Sequence, residues 1–329
     1  MHPSHKIVFG KVALLAFLGL SSLEARELRV VTTTSDLKSI AEAVGGAFIS
    51  VTSIGNGKQD PHFIDARPSY MIQLRRADLF IRIGLELERG WENLVLEGSR
   101  NRKIQLGNPG HLDASAGIEP LEVPTGMVDR SMGDVHPLGN PHYWLDPYNG
   151  RLMAHTIAVR LGQLDPGHAQ DYLANAAQFA RRIDEAMFGS GAEEGMWADQ
   201  SNGNWTPAQE GWSAMLAPYA GTQVVTYHRS WSYFLRRFGL ISVGELEAKP
   251  GIAPSPGHLK SLIDMMKTKQ VPLLIMVSFK GDKAPKLVAG RTGARIVKVP
   301  YSTNGNDVAV DYIAMLDQIV RQVAAALEP

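Results

Sequence analysis

Apolar and polar positions fall in short blocks along this chain, and the blocks switch between the two-residue period of strands and the three-to-four-residue period of helices. Residues 29–46, RVVTTTSDLKSIAEAVGG, begin with a β-branched run and pass through Ser35 and Asp36, which suit a helix N-cap. They continue with Leu37, Ile40, Ala41 and Val44 on one helical face. Residues 223–240, QVVTYHRSWSYFLRRFGL, follow the same plan. Laid over each other, both segments start Val-Val-Thr and place Gly45 opposite Gly239, 194 residues apart. The match continues through a Ser-Val strand (Ser50-Val51, Ser242-Val243), a Gly-rich loop, a Pro-Ser helix start (Pro68-Ser69, Pro254-Ser255) and an apolar strand (residues 78–84 and 271–278). The pattern predicts an internal duplication.

Strands alternating with helices require parallel sheets with short right-handed crossovers, so the expected class is α/β. The expectation is two similar lobes, each a mainly parallel sheet flanked by helices, with a crevice where the C-terminal strand ends face each other. Between the repeats, residues 149–188 are rich in Ala, Leu, Arg and Gln and carry helical periodicity. They read as two helices, the second (167–187) long enough to act as a stiff connector between the lobes. The expected division is a signal peptide at 1–25, an N-terminal lobe at 26–164, a linking helix at 165–188 and a C-terminal lobe at 189–329. Residues 189–211 are turn-forming and read as a surface loop despite Trp197 and Trp205.

Composition narrows the partners. Lys+Arg and Asp+Glu balance at 33 each among 329 residues, which removes the basic excess that nucleic acid or an anionic membrane surface would demand. A small ligand is expected. The first 25 residues combine Lys6 and Lys11 with an apolar run and small residues before Ala25, the pattern of a secretory signal. A soluble, exported protein follows as the expectation. With no cysteine in the chain, thiolate ligands, disulfides and a lipid-bearing Cys are all excluded. A metal would be held by His, carboxylate or water.

Three of the ten histidines share one context. His62 follows Asp60-Pro61 in the loop after the second predicted strand. His142 follows Asn140-Pro141 and precedes Asp146-Pro147. His228 sits between the strand 224–227 and the helix 231–238. All three lie where loops can face one crevice, and three neutral imidazoles suit a borderline-soft divalent cation such as zinc. Each alone reads equally as a polar loop residue. His111, His168 and His258 are expected to face solvent, and His155, on the helix after Asp146-Pro147, to be a packing or surface residue. His136, six residues before His142, reads as an auxiliary ligand, a metal-capture group or a plain loop residue. Asp60 or Asp146 could orient an imidazole, and an Asp-Pro helix cap is the plainer role for Asp146.

These residues resemble the zinc/manganese-type metal-binding subunits of bacterial ABC importers. The likeness rests on DPHFIDARPSYMIQLRRADLFIRIGLELERGWE (60–92), NPHYWLDP (140–147), TYHRSWSYFLRRFGL (226–240) and EAKPGIAPSPGHLKSLI (247–263), four motifs in order over most of the chain. It implies His62, His142 and His228 as metal ligands, two rigid lobes joined by a long helix, and periplasmic capture of a divalent metal for delivery to the membrane subunit of an ABC permease. It also implies a fourth, aspartate ligand shortly before the last helix. Pro300 and Tyr301 occupy that region here, which leaves Asp307 or a water to fill the place. A nitrogen-rich ligand set favours Zn2+ over Mn2+, with other divalent transition metals still admitted. A monomer is expected. Two other functions remain open: a periplasmic metal buffer or chaperone without a permease, and a zinc hydrolase. The latter lacks a His-Glu-x-x-His, a Gly-x-Ser-x-Gly or a Glu beside a ligand on a helix.

Overall fold

The structure is a computed structural model and describes residues 27–128, 132–192, 196–197 and 209–329. The expected signal peptide and Trp205 lie outside the described residues. Two four-stranded sheets organise the chain. The first contains β1 (Leu28–Thr32), β2 (Ile49–Ser53), β3 (Leu79–Arg82) and β4 (His111–Asp113) in the order β2-β1-β3-β4. The second contains β5 (Gln223–Thr226), β6 (Ile241–Glu245), β7 (Leu273–Val277) and β8 (Arg295–Val299) in the order β6-β5-β7-β8. Every pairing is parallel.

The 194-residue repeat survives at the level of register. Val30 faces Leu79 and Thr32 faces Ile81 in the first sheet; Val224 faces Leu273 and Thr226 faces Ile275 in the second. The pattern did not reveal the two edge strands β4 and β8. β4 is only three residues long and follows Asn108-Pro109-Gly110, so turn chemistry hides it.

Alternate strand residues feed different cores, as the two-residue period requires. Val30 and Val224 point into one large core that is continuous from the first sheet to the second, whereas Val31 and Val225 point into separate outer cores. Both faces of each parallel sheet are therefore covered. Helices α1 (Ser35–Gly45), α4 (Pro147–Leu164) and α5 (Ala169–Phe188) fill the space between the sheets with α10 (Tyr312–Leu327). The remaining helices are α2 (Pro68–Arg76), α3 (Glu92–Ser99), α6 (Gly211–Leu216), α7 (Ser232–Phe238), α8 (Pro256–Thr268) and α9 (Lys283–Thr292). α5 touches both halves: Asn175 donates to the Val44 carbonyl at the end of α1, and Phe179 packs its ring on Tyr312 of α10. No helix among the described residues is long and apolar enough to cross a membrane.

The halves also meet directly. Ser35 Oγ donates to the Thr303 carbonyl, and Thr303 donates its N–H and hydroxyl to Asp36 Oδ1. Gly57 lies so close to the Thr303 carbonyl that a Cβ there has no room. Trp197, expected in a surface loop, is buried. Its indole N–H bonds Asp184, and its ring packs against Phe188 and Tyr148.

Candidate metal centre

Two of the three histidines are positioned by the same local device. In Asp60-Pro61-His62, Asp60 Oδ1 accepts from the His62 backbone N–H (3.2 Å) and contacts its ring Nδ1 (2.8 Å). In Asn140-Pro141-His142, Asn140 Oδ1 does both for His142, at 3.0 and 2.7 Å. The short side chain bends the chain back over the proline, a turn that Asp and Asn form readily. The turns are themselves anchored: Trp91 Nε1 donates to the Pro61 carbonyl, and Asn140 Nδ2 donates to Glu122 and to the Arg229 carbonyl. His228 is held differently, at the C-terminal end of β5. Its Nδ1 lies 2.7 Å from Glu247 Oε2, in the loop after β6.

These contacts determine the tautomers. Burial pushes the Asp60 and Glu247 carboxyls up, but hydrogen bonds and charge from His62, His228 and Lys280 outweigh it and hold both below their ordinary values. Ionised carboxylates only accept, so His62 and His228 each donate from Nδ1. Asn140 Oδ1 already accepts a backbone N–H, so His142 donates from Nδ1 too. With Nδ1 engaged in each ring, Nε2 is the nitrogen left to face a metal, which takes the neutral imidazole.

One ring nitrogen from each of the three lies within 4.8 Å of the others, and their ring centroids are 5.2 to 5.9 Å apart. His142 is 2% exposed, and its Nε2 is buried with no hydrogen-bond partner. An orphaned acceptor of this kind costs about 1–3 kcal/mol unless a ligand satisfies it. Burial, followed by the neighbouring imidazoles, pushes His142 well below its ordinary value, so it stays neutral. The donor set fits a divalent cation of the zinc type.

Around these rings the polar groups are cross-linked. Lys280 Nζ sits 3.3 Å from Asp60 Oδ2 and 3.4 Å from Glu247 Oε1, joining the carboxylates that orient His62 and His228. Tyr301, 3% exposed, packs on His142 and Trp144, and its backbone carbonyl accepts from Trp144 Nε1. Burial raises the Tyr301 phenol well above its ordinary value.

Asp307 is not brought into the histidine group. It is exposed on a loop that Asn306 shapes by accepting from the N–H groups of Val308 and Ala309. Asp146 caps α4 and pairs with Arg237, as an Asp-Pro cap suggests, and orients no imidazole. Three solvent-facing expectations need correction. His111 is buried within β4 with Nδ1 on the Ile104 carbonyl, His168 stacks on Phe48 and pairs with Asp165, and half-buried His258 holds the Glu245 carbonyl. Each is a structural contact that sequence spacing does not announce. Glu247 and Lys280 went unrecognised as site residues. The repeat held the clue for Glu247, since it sits in the loop after β6, where the first half carries Asp60 after β2.

The family model described as "Zinc-uptake complex component A periplasmic" matches residues 30–187 and 198–326. The iron-binding protein YfeA of Yersinia pestis is 25% identical over 303 residues, covering 91% of this chain and 86% of that protein. The manganese ABC transporter substrate-binding lipoprotein PsaA of Streptococcus pneumoniae serotype 4 is 24% identical over 274 residues, covering 82% and 79%. Among solved structures, a crystal structure of ZnuA superposes with a TM-score of 0.70 at 23% identity, covering 92% of this chain and all of that one. A periplasmic metal binding protein from candidatus liberibacter asiaticus gives 0.69 at 20%, with the same coverage. With the family model spanning both sheets and every histidine of the cluster, the chain belongs to the zinc-uptake component A family, the metal-binding substrate-binding proteins of ABC importers.

Proposed function

We propose that this protein binds one zinc ion in the periplasm through Nε2 of His62, His142 and His228 and delivers it, as a monomer, to an ABC permease in the membrane. The observation that carries this reading is the convergence of three imidazoles whose Nδ1 atoms are held by Asp60, Asn140 and Glu247, so that each turns Nε2 to the ion. The relatives are named for iron and manganese as well as zinc. Zinc is favoured here because the clustered donors are all nitrogen, whereas manganese prefers oxygen. Hydrolysis is disfavoured because the carboxylates touching the ring nitrogens, Asp60 and Glu247, face Nδ1 atoms and are paired with Lys280, so neither is placed as a general base.

The test is a competition titration of the metal-stripped protein with zinc and manganese. One zinc per chain, bound more tightly than manganese, is the expected result. Preference for manganese would overturn the assignment of cargo.

A further inference from the structure

We infer that His136 is a fourth metal donor, carried to the three histidines by the loop before Asn140; the inference rests on the metal-binding reading above. His136 Nε2 lies 3.1 Å from His62 Nε2, and the two rings are 5.2 Å apart at their centroids. Asp60 engages His62 Nδ1, so His62 turns Nε2 to His136, and one hydrogen lies between the two facing Nε2 atoms. The pair is thus a metal edge with a proton standing where the cation belongs. Two nitrogens at about 2.0–2.1 Å from a tetrahedral zinc stand roughly 3.3–3.4 Å apart, so the observed spacing needs only a few tenths of an ångström to accept the ion. On binding, that hydrogen is released to solvent or passes to the other nitrogen of the His136 ring, and both Nε2 lone pairs face the metal.

The surroundings support the same placement. A small void of about 40 Å³ is bounded by His136 together with His142 and His228, while a wider cleft of about 590 Å³ runs past His136 and His62. His136 therefore stands between the buried histidines and the open side. Its ring lies 6.4 Å from His142, farther than the rings of the cluster lie from one another, so closure of a fourth bond draws the loop inward. Backbone hydrogen bonds hold the loop on either side of His136. The Asp134 N–H donates to the Pro250 carbonyl in the turn that follows Glu247, and the Gly139 N–H returns to the His136 carbonyl. Asp134 is the other donor this loop brings near, but its carboxylate lies against the Cα of Gly251 and leaves the imidazole as the group facing His62. Tyr301 lies with its ring against His142 and Trp144, and exposed Asp307 stands outside the histidine group, which leaves the fourth position to this loop.

The experiment compares the full chain with its His136→Ala, Asp134→Asn and His62→Ala variants by zinc competition titration, and counts bound imidazoles by X-ray absorption at the zinc edge. The expected result is one zinc per chain in His136→Ala, bound roughly several hundredfold more weakly, with the imidazole count falling from four to three and Asp134→Asn keeping four. Wild-type affinity and an unchanged count in His136→Ala, with binding lost in His62→Ala, would overturn the fourth donor while sparing the three-histidine site. Full binding in His62→Ala would overturn both.

Discussion

The two halves of the chain share strand order and central register, yet they furnish the histidine cluster differently. In the first half, the turn after β1 holds Thr34 as the N-cap of α1, its hydroxyl accepting from the Leu37 N–H. In the second half, the equivalent position of the 194-residue repeat is His228, which faces the cluster. The turn after β2 supplies both a histidine and the carboxylate that orients it, Asp60 two residues before His62. The turn after β6 supplies only a carboxylate, Glu247, for a histidine 19 residues earlier. A duplicated scaffold thus delivers one oriented imidazole from each half, and Lys280 ties their carboxylates together. The third imidazole, His142, comes from the segment that leads from the first sheet into α4.

Four outcomes would break or sharpen this comparison. The largest is loss of a ligand. Four-ligand zinc sites bind with about 10–16 kcal/mol, so removing one imidazole costs about 3–4 kcal/mol, several hundredfold in affinity. His62→Ala and His228→Ala, one from each half, should lose about equally in a zinc competition titration. A much smaller loss in either would mean that one half carries the site alone.

The next concerns Asp36, which stands where the second half has Ser230. Burial raises its carboxyl from the ordinary value of 3.8 to about 6, against the hydrogen bonds from Thr303. A raised acid favours the folded state when protonated. Its contribution is complete below about 3.8 and is lost as pH rises through about 6. Metal-free wild-type protein should therefore lose roughly 3 kcal/mol of unfolding free energy relative to Asp36→Asn between pH 4 and pH 7, measured by denaturant unfolding. A pH-independent difference would remove the carboxyl from that role.

Orientation of the imidazoles has a smaller effect. Asp60→Asn and Glu247→Gln should each weaken zinc about 10- to 100-fold, since each loosens one ring without deleting it. Equal losses would mean that the short Asx turn and the long-range carboxylate hold a ring equally well. The smallest effect belongs to Asp307→Asn, expected to shift zinc affinity by less than about twofold, because an exposed carboxylate outside the cluster contributes little. A tenfold loss by titration would return Asp307 to the ligand set.

Much of this was legible in the sequence because it is local. β-branched runs, helical faces and Pro/Gly punctuation outline both sheets, and the Asx-Pro-His repeat at 60–62 and 140–142 marks two of the histidines. What stayed hidden is non-local or too short to carry a period. β4 has three residues beside a turn. Glu247 and Lys280 gain meaning only when the loops of both halves meet. His111 looks like a loop histidine until its pairing opposite Phe80 buries it. Asp307 lies close to the last helix along the chain, and the Asn306 turn, which no spacing announces, settles its loop with Ala309 buried and Asp307 outside.

The most direct test of the shared centre is anomalous diffraction at the zinc edge from crystals of the zinc-loaded protein. The expected result is a single peak about 2.0–2.1 Å from Nε2 of His62, His142 and His228, joining both halves through one ion. A peak bonded within one half only, or through an Nδ1 atom, would contradict it.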